Sequence, residues 1–483
     1  MQFSVVWAND LKNTKSFRID AEYYHPKAIE YEKKIIQIFH GQSIKEIGCM
    51  VVSGPFGSSL KSEVYLNSGV PFIRISDLRN FLISKDNLIY ISEEDNSRLS
   101  SSKLKIGDIV LSKVGNTIGV ASIVTEDIGD CNISENNIGI RMPHDMEHQL
   151  KSFLVTYLNS VPGQNQILRA ISGNAQPKLN VSDIEEVKVP HASDKLMILV
   201  NKVFELSTNL IQKSENNYKE CQTILLSELG LTNWQPKHHL YFVKSYSVTQ
   251  QAGRLDAEYY QPKYEKIEEA IKDYSGGWDT LGNLVTVKKC LEVGSGEYLD
   301  EGIPFVRVSN LSPFEITEEK YISEKLYTEI EQHQPNKGEI FFSKDATPGI
   351  AYYLNKTPKK MIPSGGILRL KNKTDKVYNE YLTLVLNSTL TREQVNRDVG
   401  GSIILHWRPD QVKGTVIPIL PEEKQTQIQQ KVTESFKSRK QSRHLLECAK
   451  LAVEMAIEQD EKKAIDWLKE QAQNIGVLDA DGL

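Results

Sequence analysis

The sequence predicts an α+β protein of two homologous modules, each followed by a long α-helix, the two helices pairing as an antiparallel coiled coil. Three observations carry that prediction: the chain is duplicated, each copy is built of short β-rich segments, and each copy ends in a long helical seam. At 483 residues the chain has room for roughly two to four domains.

The duplication is direct. Arg18-Ile-Asp-Ala-Glu-Tyr-Tyr-His-Pro-Lys27 recurs as Arg254-Leu-Asp-Ala-Glu-Tyr-Tyr-Gln-Pro-Lys263. Val70-Pro-Phe-Ile-Arg-Ile-Ser-Asp-Leu78 returns as Ile303-Pro-Phe-Val-Arg-Val-Ser-Asn-Leu311, and Lys105-Ile-Gly-Asp-Ile-Val-Leu-Ser-Lys113 as Asn336-Lys-Gly-Glu-Ile-Phe-Phe-Ser-Lys344. Leu158-Asn-Ser160 returns as Leu386-Asn-Ser388. A repeat of about 230 residues is far too long for a solenoid unit, so each copy is expected to fold as its own domain.

Within a copy, Pro71-Phe-Ile-Arg-Ile75, Asp108-Ile-Val-Leu-Ser112 and Ile118-Gly-Val-Ala-Ser-Ile-Val124 read as strands. Ser53-Gly-Pro55 and Val114-Gly-Asn116 supply turns between them. After Pro190 no Pro or Gly occurs until Gly230, and Leu196, Leu199, Val203, Leu206 and Leu210 fall on one helical face. After Pro421 the pattern returns at Ile428, Val432, Phe436, Leu446, Ala449, Val453 and Ala456, with Glu422 and Glu423 well placed at a helix start. A helix from Asp194 to Leu229 would be on the order of 55 Å long, more than one module needs. Lys213, Asn217 and Glu220 interrupt one seam and Arg439 and Ser442 the other, as expected where polar contacts fix the register of a pair; the alternative is that each helix packs only on its own module. The expected layout is a first module at 1–190, a helix at 191–232, a second module at 233–418, and a helix with C-terminal tail at 419–483.

Composition excludes several classes. Hydrophobic residues are 40% and charged residues 25%, ordinary values for a folded globular chain. No apolar run reaches the ~18 residues of a membrane span, and the start lacks a signal-peptide pattern, so a cytoplasmic location is expected. The formal charge of −5 argues against indiscriminate polyanion binding and leaves room for a local basic surface. Cys49, Cys131, Cys221, Cys290 and Cys448 are far apart and read as inert thiols, with no metal site expected.

Two enzyme motifs are weak. Cys290-Leu-Glu-Val-Gly-Ser-Gly-Glu-Tyr298 resembles an S-adenosylmethionine loop, yet Gly302 and Pro304 interrupt the helix that should follow it. Tyr298, Leu299 and Gly302 also align with Tyr65, Leu66 and Gly69, which makes the segment a loop before a strand in both copies. Pro409-Asp410 with Glu422-Glu423-Lys424 imitates a nuclease pattern, but acidic residues at a helix start have a dipole reason of their own. No catalytic or cofactor-binding residue is expected in this chain.

What remains is a set of polar and basic residues, most of them in glycine-bearing loops. The first copy offers Ser58, Ser59, Lys61, Arg74, Lys113, Asn116, Thr117, Asn174, Gln176 and Lys178. The second offers Arg307, Lys344, Thr347, Ser402, His406 and Arg408. Arg and Lys suit guanine and phosphate, Asn and Gln suit adenine, and small residues let the backbone approach a groove. Each singly is compatible with an ordinary solvated position; together they are the candidate DNA-binding set.

Gly54-Pro-Phe-Gly-Ser-Ser-Leu-Lys61, Gly69-Val-Pro-Phe-Ile-Arg-Ile-Ser-Asp-Leu78 and Gly107-Asp-Ile-Val-Leu-Ser-Lys-Val-Gly115 resemble the specificity subunit of type I restriction-modification enzymes. The likeness spans nearly the whole chain and includes the order of parts and the proline-led entry into each helix, at Pro190 and at Pro418 with Pro421. It implies a non-catalytic subunit whose two target recognition domains each read one half of a bipartite, asymmetric site on double-stranded DNA. It further implies two methyltransferase subunits docked near the helices, with restriction or translocase subunits as further partners. S-adenosylmethionine, ATP and Mg would then belong to those partners. The second copy departs from the pattern, having Val287-Lys-Lys-Cys-Leu-Glu292 where the first has Gly-Pro-Phe-Gly. The Asp-Ala-Glu-Tyr-Tyr element is expected to form a surface that braces each module on its helix, with Tyr23, Tyr24, Tyr259 and Tyr260 as packing residues. The alternatives are a diverged DNA methyltransferase or nuclease, or a specificity-like adaptor of another defence system.

Overall fold

The computed structural model describes residues 23–55, 60, 64–86, 88–115, 117–171, 177–399 and 405–475. The chain forms two compact units: residues Met1–Ile211 with Lys440–Leu483, and residues Gln212–Arg439.

In the first unit β1 (Met50–Ser53), β2 (Val70–Ile73), β3 (Phe81–Leu82), β4 (Ile89–Ile91), β5 (Lys103–Leu104), β6 (Ile109–Ser112), β7 (Ala121–Ile123), β8 (Cys131–Ile133) and β9 (Asn137–Arg141) form two sheets. Their orders are β1-β9-β6-β7-β3 and β4-β2-β8-β5. The β6 residues are buried throughout, which explains their unbroken apolar run.

The second unit repeats the plan with β10 (Val285–Lys289), β11 (Ile303–Val306), β12 (Tyr321–Ile322), β13 (Glu339–Ser343), β14 (Ala351–Tyr353), β15 (Ile362–Pro363) and β16 (Ile367–Asn372). The sheets are β10-β16-β13-β14 and β12-β11-β15. The parallel β11/β15 pair matches the parallel β2/β8 pair.

Equivalence extends to single bonds. Asn159 Nδ2 donates to the Ala121 carbonyl and Asn387 Nδ2 to the Ala351 carbonyl, both at 2.8 Å. Gly69 and Gly302 have φ of +136° and +135°, and a Cβ on either would strike the carbonyl oxygen of Ile91 at 2.5 Å or of Ile322 at 2.6 Å. Only glycine fits both demands. Tyr65 lies against Phe72 and Tyr298 against Phe305, with ring centroids 5.8 and 5.6 Å apart. The glycine-bearing Cys290–Tyr298 segment is thus a loop leading into β11, interrupted by a single 3-10 turn at Ser295–Glu297, and no α-helix opens behind it.

The long helices are α1 (Asp194–Glu228) and α2 (Glu422–Glu458), and each unit holds one part of both. In the first unit Leu196, Leu199, Val200, Val203 and Phe204 share one core with Leu445, Leu446, Ala449, Ala452, Val453 and Ala456. Burying a side chain such as Val203 contributes about 1.5 to 3 kcal/mol.

In the second unit Cys221 and Leu225 pack with Ile428 and Val432. Ser214 Oγ meets Ser435 Oγ at 2.8 Å, Lys213 pairs with Glu434 at 2.8 Å, and Glu220 pairs with Lys431. Residue numbers rise along one helix as they fall along the other, so the pair is antiparallel. Three of the polar seam residues are therefore cross-helix partners, since Arg439 Nε also donates to Ser214 Oγ at 3.0 Å.

Beyond Glu458 the expected tail contains a further helix, α3 (Glu461–Asn474). Asp460 caps it by accepting the Lys463 N–H at 2.9 Å, and Ala464, Leu468 and Ala472 enter the first unit's core. Among the described residues no helix is long and apolar enough to cross a membrane.

Candidate nucleic-acid interface

In each module the strand that carries the Ser-Lys pair runs into a loop pinned on both sides by main-chain bonds. After β6 the Lys113 N–H donates to the Asn136 carbonyl at 2.9 Å, and the Lys113 carbonyl accepts the Leu179 N–H at 3.0 Å. After β13 the Lys344 N–H donates to the Gly366 carbonyl at 2.9 Å, and the Lys344 carbonyl accepts the Trp407 N–H at 2.8 Å. The bridges Val114–Lys178 and Asp345–His406 are likewise equivalent. One backbone frame thus holds Lys113 with Lys178 in the first module and Lys344 with His406 in the second.

The side chains on that frame differ. Lys113 Nζ donates to Ser53 Oγ at 3.1 Å, at the end of β1. The adjoining Gly54 lies so close to the Ser134 carbonyl that a Cβ would stand 1.8 Å from its oxygen. Thr117 Oγ1 lies 3.3 Å from Ser112 Oγ. In the second module Lys344 is ion-paired to Asp345, whose other oxygen is 2.8 Å from His406 Nδ1. Thr347 is held through its carbonyl, which accepts from Ser343 Oγ at 2.6 Å. The first loop presents a cation on a hydroxyl, the second a cation and an imidazole sharing one carboxylate.

Arg74 and Arg307 follow β2 and β11. The Arg74 backbone N–H and guanidinium both donate to Asp77, at 2.8 to 3.1 Å. The Arg307 N–H donates to Asn310 at 3.0 Å, and its Nη2 donates to Glu319 at 2.7 Å. Both arginines therefore stabilise the turn behind their strand. The end of β2 joins the first loop through Ile73, whose carbonyl accepts from the Ser134 N–H at 2.9 Å and from Asn137 Nδ2 at 2.8 Å. Arg408 is exposed and lies 3.4 Å from Asp410. Ser58, Ser59, Lys61, Asn116, Asn174, Gln176 and Ser402 lie outside the described residues.

Sequence reasoning missed Ser53, Asp345 and Glu292. Glu292 Oε1 accepts the Gly366 N–H at 3.1 Å, so the segment without Gly-Pro-Phe-Gly contributes a carboxylate to the second frame. Asp345 stands where the first copy has Val114, and that exchange beside an aligned lysine was the readable signal.

In the second module the bonds of the Asp-Ala-Glu-Tyr-Tyr element among the described residues run within the module, to Arg397 and Asp398, and not to the long helix expected. Arg254 grips Asp256 with two bonds, at 2.6 and 2.8 Å, stacks on Tyr259 at 4.4 Å, and accepts the Tyr260 hydroxyl on its carbonyl at 2.6 Å. Arg397 pairs with Glu268 and also faces Tyr259. In the first module Arg169 pairs with Glu32 at 2.7 Å and lies 4.9 Å from the Tyr23 ring centre. The adjacent tyrosines meet edge to face, with centroids 5.0 Å apart for Tyr23–Tyr24 and 4.9 Å for Tyr259–Tyr260.

Pro409 opens the short helix Pro409–Gly414, while Glu422 and Glu423 occupy the first turn of α2, where the helix dipole favours them. Among the described residues no group of three or more His, Cys, Asp or Glu is placed to hold a metal. Four of the cysteines are buried and Cys290 is half-buried; burial pushes the Cys49, Cys221 and Cys290 thiols up to about 12.

No family model matches the chain. Over 155 residues it is 27% identical to the Type I restriction enzyme EcoBI specificity subunit of Escherichia coli, a stretch covering 32% of each chain. The chain is similar to a type I specificity subunit. The alignment thus spans about a third of that relative's length. Among solved structures, the S subunit of a type I restriction-modification system from M. genitalium is 14% identical, with 91% of this chain and 96% of that one covered and a TM-score of 0.32. The HsdS subunit from Thermoanaerobacter tengcongensis is 15% identical, with 86% and 97% covered and a TM-score of 0.28.

Proposed function

We propose that this chain is a non-catalytic, sequence-specific DNA-binding subunit that reads a bipartite, asymmetric target and directs methyltransferase subunits to it. The observation that carries the reading is the duplicated loop frame, with Lys113 and Lys178 on one copy and Lys344, Asp345 and His406 on the other. A shared frame implies a shared mode of approach to the duplex, and different side chains imply different bases. Residues 1–190 and 233–418 are assigned as target recognition domains, one to each half-site, with 191–232 and 419–483 as the spacer. The net charge of −5 is tolerable if partner subunits supply much of the phosphate affinity and this chain supplies discrimination.

The partners in this reading are two methyltransferase subunits, with restriction or translocase subunits as further members of the assembly. S-adenosylmethionine, ATP and Mg are assigned to those partners, and the assembly to the cytoplasm. The test is co-expression with a methyltransferase subunit, followed by mapping of methylated sites on genomic DNA. Two unlike half-sites at fixed separation are expected. Methylation by this chain alone, or a single undivided site, would overturn the assignment.

A further inference from the structure

Away from the loops just described, at the opposite end of β6 and β9, the first unit has an open cavity of about 640 Å³. Lys103, Lys105, Arg141, His144 and Lys151 line it, together with the carboxylates Asp108 and Asp130. The register fixes its distance from the Lys113 loop: Asn137 pairs with Ser112 at the loop end, whereas Ile140 pairs with Ile109 at the cavity end. Strands rise about 3.3 Å per residue, so roughly 10 Å of sheet separates the two ends.

The lysines here are not held in close ion pairs. Elsewhere in the first unit Lys34, Lys85, Arg98, Arg169 and Lys188 each pair with a carboxylate. Lys103, Lys105 and Lys151 form no such ion pair among the described residues. Arg141 is fixed by carbonyls, donating Nε to Lys103 at 2.9 Å and Nη2 to Ser101 at 2.8 Å, which orient its guanidinium without neutralising it. Asp108 accepts the N–H groups of Lys105 and Met142 at 2.7 and 2.8 Å, so its oxygens face the backbone. Arg141, Lys103, Lys105 and Lys151 thus meet two carboxylates around one concavity, Arg141 fixed by carbonyls.

The second copy shows that this cluster is no requirement of the fold. In the aligned segments Lys103 and Lys105 correspond to Gln334 and Asn336, and Lys151 to Asn379. The acid corresponding to Asp108 is Glu339, which holds its own cation, Arg369, at 2.7 Å. At the same place the second module keeps one of the four cations, Lys371 at the position of Arg141, and pairs its acid with Arg369, whereas the first module gathers all four.

We propose that this cavity binds a compact phosphorylated small molecule, of the pyrophosphate or nucleoside-polyphosphate class. Several cations converging on a concavity suit a dense anion, and the volume lies within the roughly 300 to 1,000 Å³ of small-molecule pockets. A duplex backbone, with one charge per ~1.7 Å of axis, would instead favour an extended surface with its charges strung along it.

The test is calorimetric titration of the full chain with pyrophosphate and, separately, with a random-sequence DNA duplex. Wild type is expected to bind pyrophosphate saturably. Lys105→Gln with Lys151→Gln should bind it roughly tenfold more weakly or worse, with duplex affinity and thermal unfolding unchanged. Ile106→Glu, at the exposed rim, should weaken pyrophosphate binding without touching any cation. Absence of binding to wild type, or binding by both variants as tight as that of wild type, would overturn the proposal. So would loss of duplex affinity in the double variant, which would assign the cations to nucleic acid.

Discussion

Arg369 and Glu339 form a two-pronged ion pair inside the second unit, with Nε to Oε2 at 2.7 Å, Nη2 to Oε1 at 2.9 Å, and the side chains only 3% and 2% exposed. A third bond, from Nη1 to the His333 carbonyl at 2.9 Å, anchors the arginine to the main chain. Removing one partner of such a pair strands a buried charge. Arg369→Ala is therefore expected to cost about 3 to 5 kcal/mol, whereas Arg369→Met with Glu339→Leu should be close to neutral. Urea unfolding followed by tryptophan fluorescence distinguishes the two, and equal losses would refute the argument.

The same pair gives a pH dependence. Burial raises the Glu339 carboxyl, but the hydrogen bonds and charge of Arg369 outweigh it and hold the group below its ordinary value. A carboxyl depressed in the folded state contributes stability that is present above its unfolded value of about 4.3 and disappears as pH falls through the folded one. Unfolding midpoints of wild type should decline in that acid window more than those of the Arg369→Met, Glu339→Leu chain. Parallel pH curves would show that the pair is not their source.

Val203→Asp with Leu206→Asp should unfold the first unit. Val203 is fully buried and Leu206 partly so, in the core that also holds Leu446, Ala449 and Val453. An unpaired carboxylate in such a place costs several kcal/mol, on the order of a whole domain's margin. Proteolysis should cut this variant first between residues 23 and 211; a wild-type digestion pattern would contradict the shared core.

Ala346 occupies the left-handed region at φ +58°, in the place where the first copy has Gly115 at +84°. The left-handed conformation costs a residue with a Cβ about 1 to 2 kcal/mol, part of which glycine returns through its looser unfolded state. Ala346→Gly should therefore stabilise the second unit by up to about 1 kcal/mol, and Gly115→Ala should destabilise the first by a similar amount. No atom lies within 4 Å of a Cβ built at Gly115, so that comparison isolates the backbone. Denaturation midpoints shifting the opposite way would refute it.

Division of labour between the modules predicts that Gln176→Ala relaxes base preference in one half-site by about 1 to 3 kcal/mol and leaves the other untouched. Lys113→Gln, assigned to phosphate, should weaken binding evenly across sequences and flatten its salt dependence. Methylation mapping in complex with a partner resolves both half-sites at once. Altered preference in both halves would end the one-module-per-half-site assignment.

The duplication, the strands and both long helices were legible because each rests on a local pattern. Leu196 to Leu210 repeat with helical spacing, and Gly69 recurs as Gly302 before the same Pro-Phe pair. What stayed hidden depends on tertiary approach. Nothing in the sequence ties Arg169 to Glu32 or Arg397 to Glu268, since each pair is closed only when its module folds. The break at Asp460, where a new helix is capped, was hidden because the stretch before it is continuous in helix formers. Of the candidate site, the lysines at 113 and 344 were visible through alignment of the copies, whereas the carboxylate at Asp345 reveals its partner His406 only through the bridge between their strands.

The first unit is assembled from two stretches far apart in the sequence, Met1–Ile211 and Lys440–Leu483. Its core needs Leu446 and Leu468, Tyr31 bonds Glu458, and the Val161 and Ser193 N–H groups are received by Glu454 and Glu461 at 2.8 Å. A ribosome delivers the second of these stretches only after the entire second unit, Gln212–Arg439, has emerged. Vectorial synthesis ordinarily lets N-terminal domains fold first. Here the order is inverted: the core that holds Leu196 and Val203 is complete only once the residues beyond Arg439 have been made.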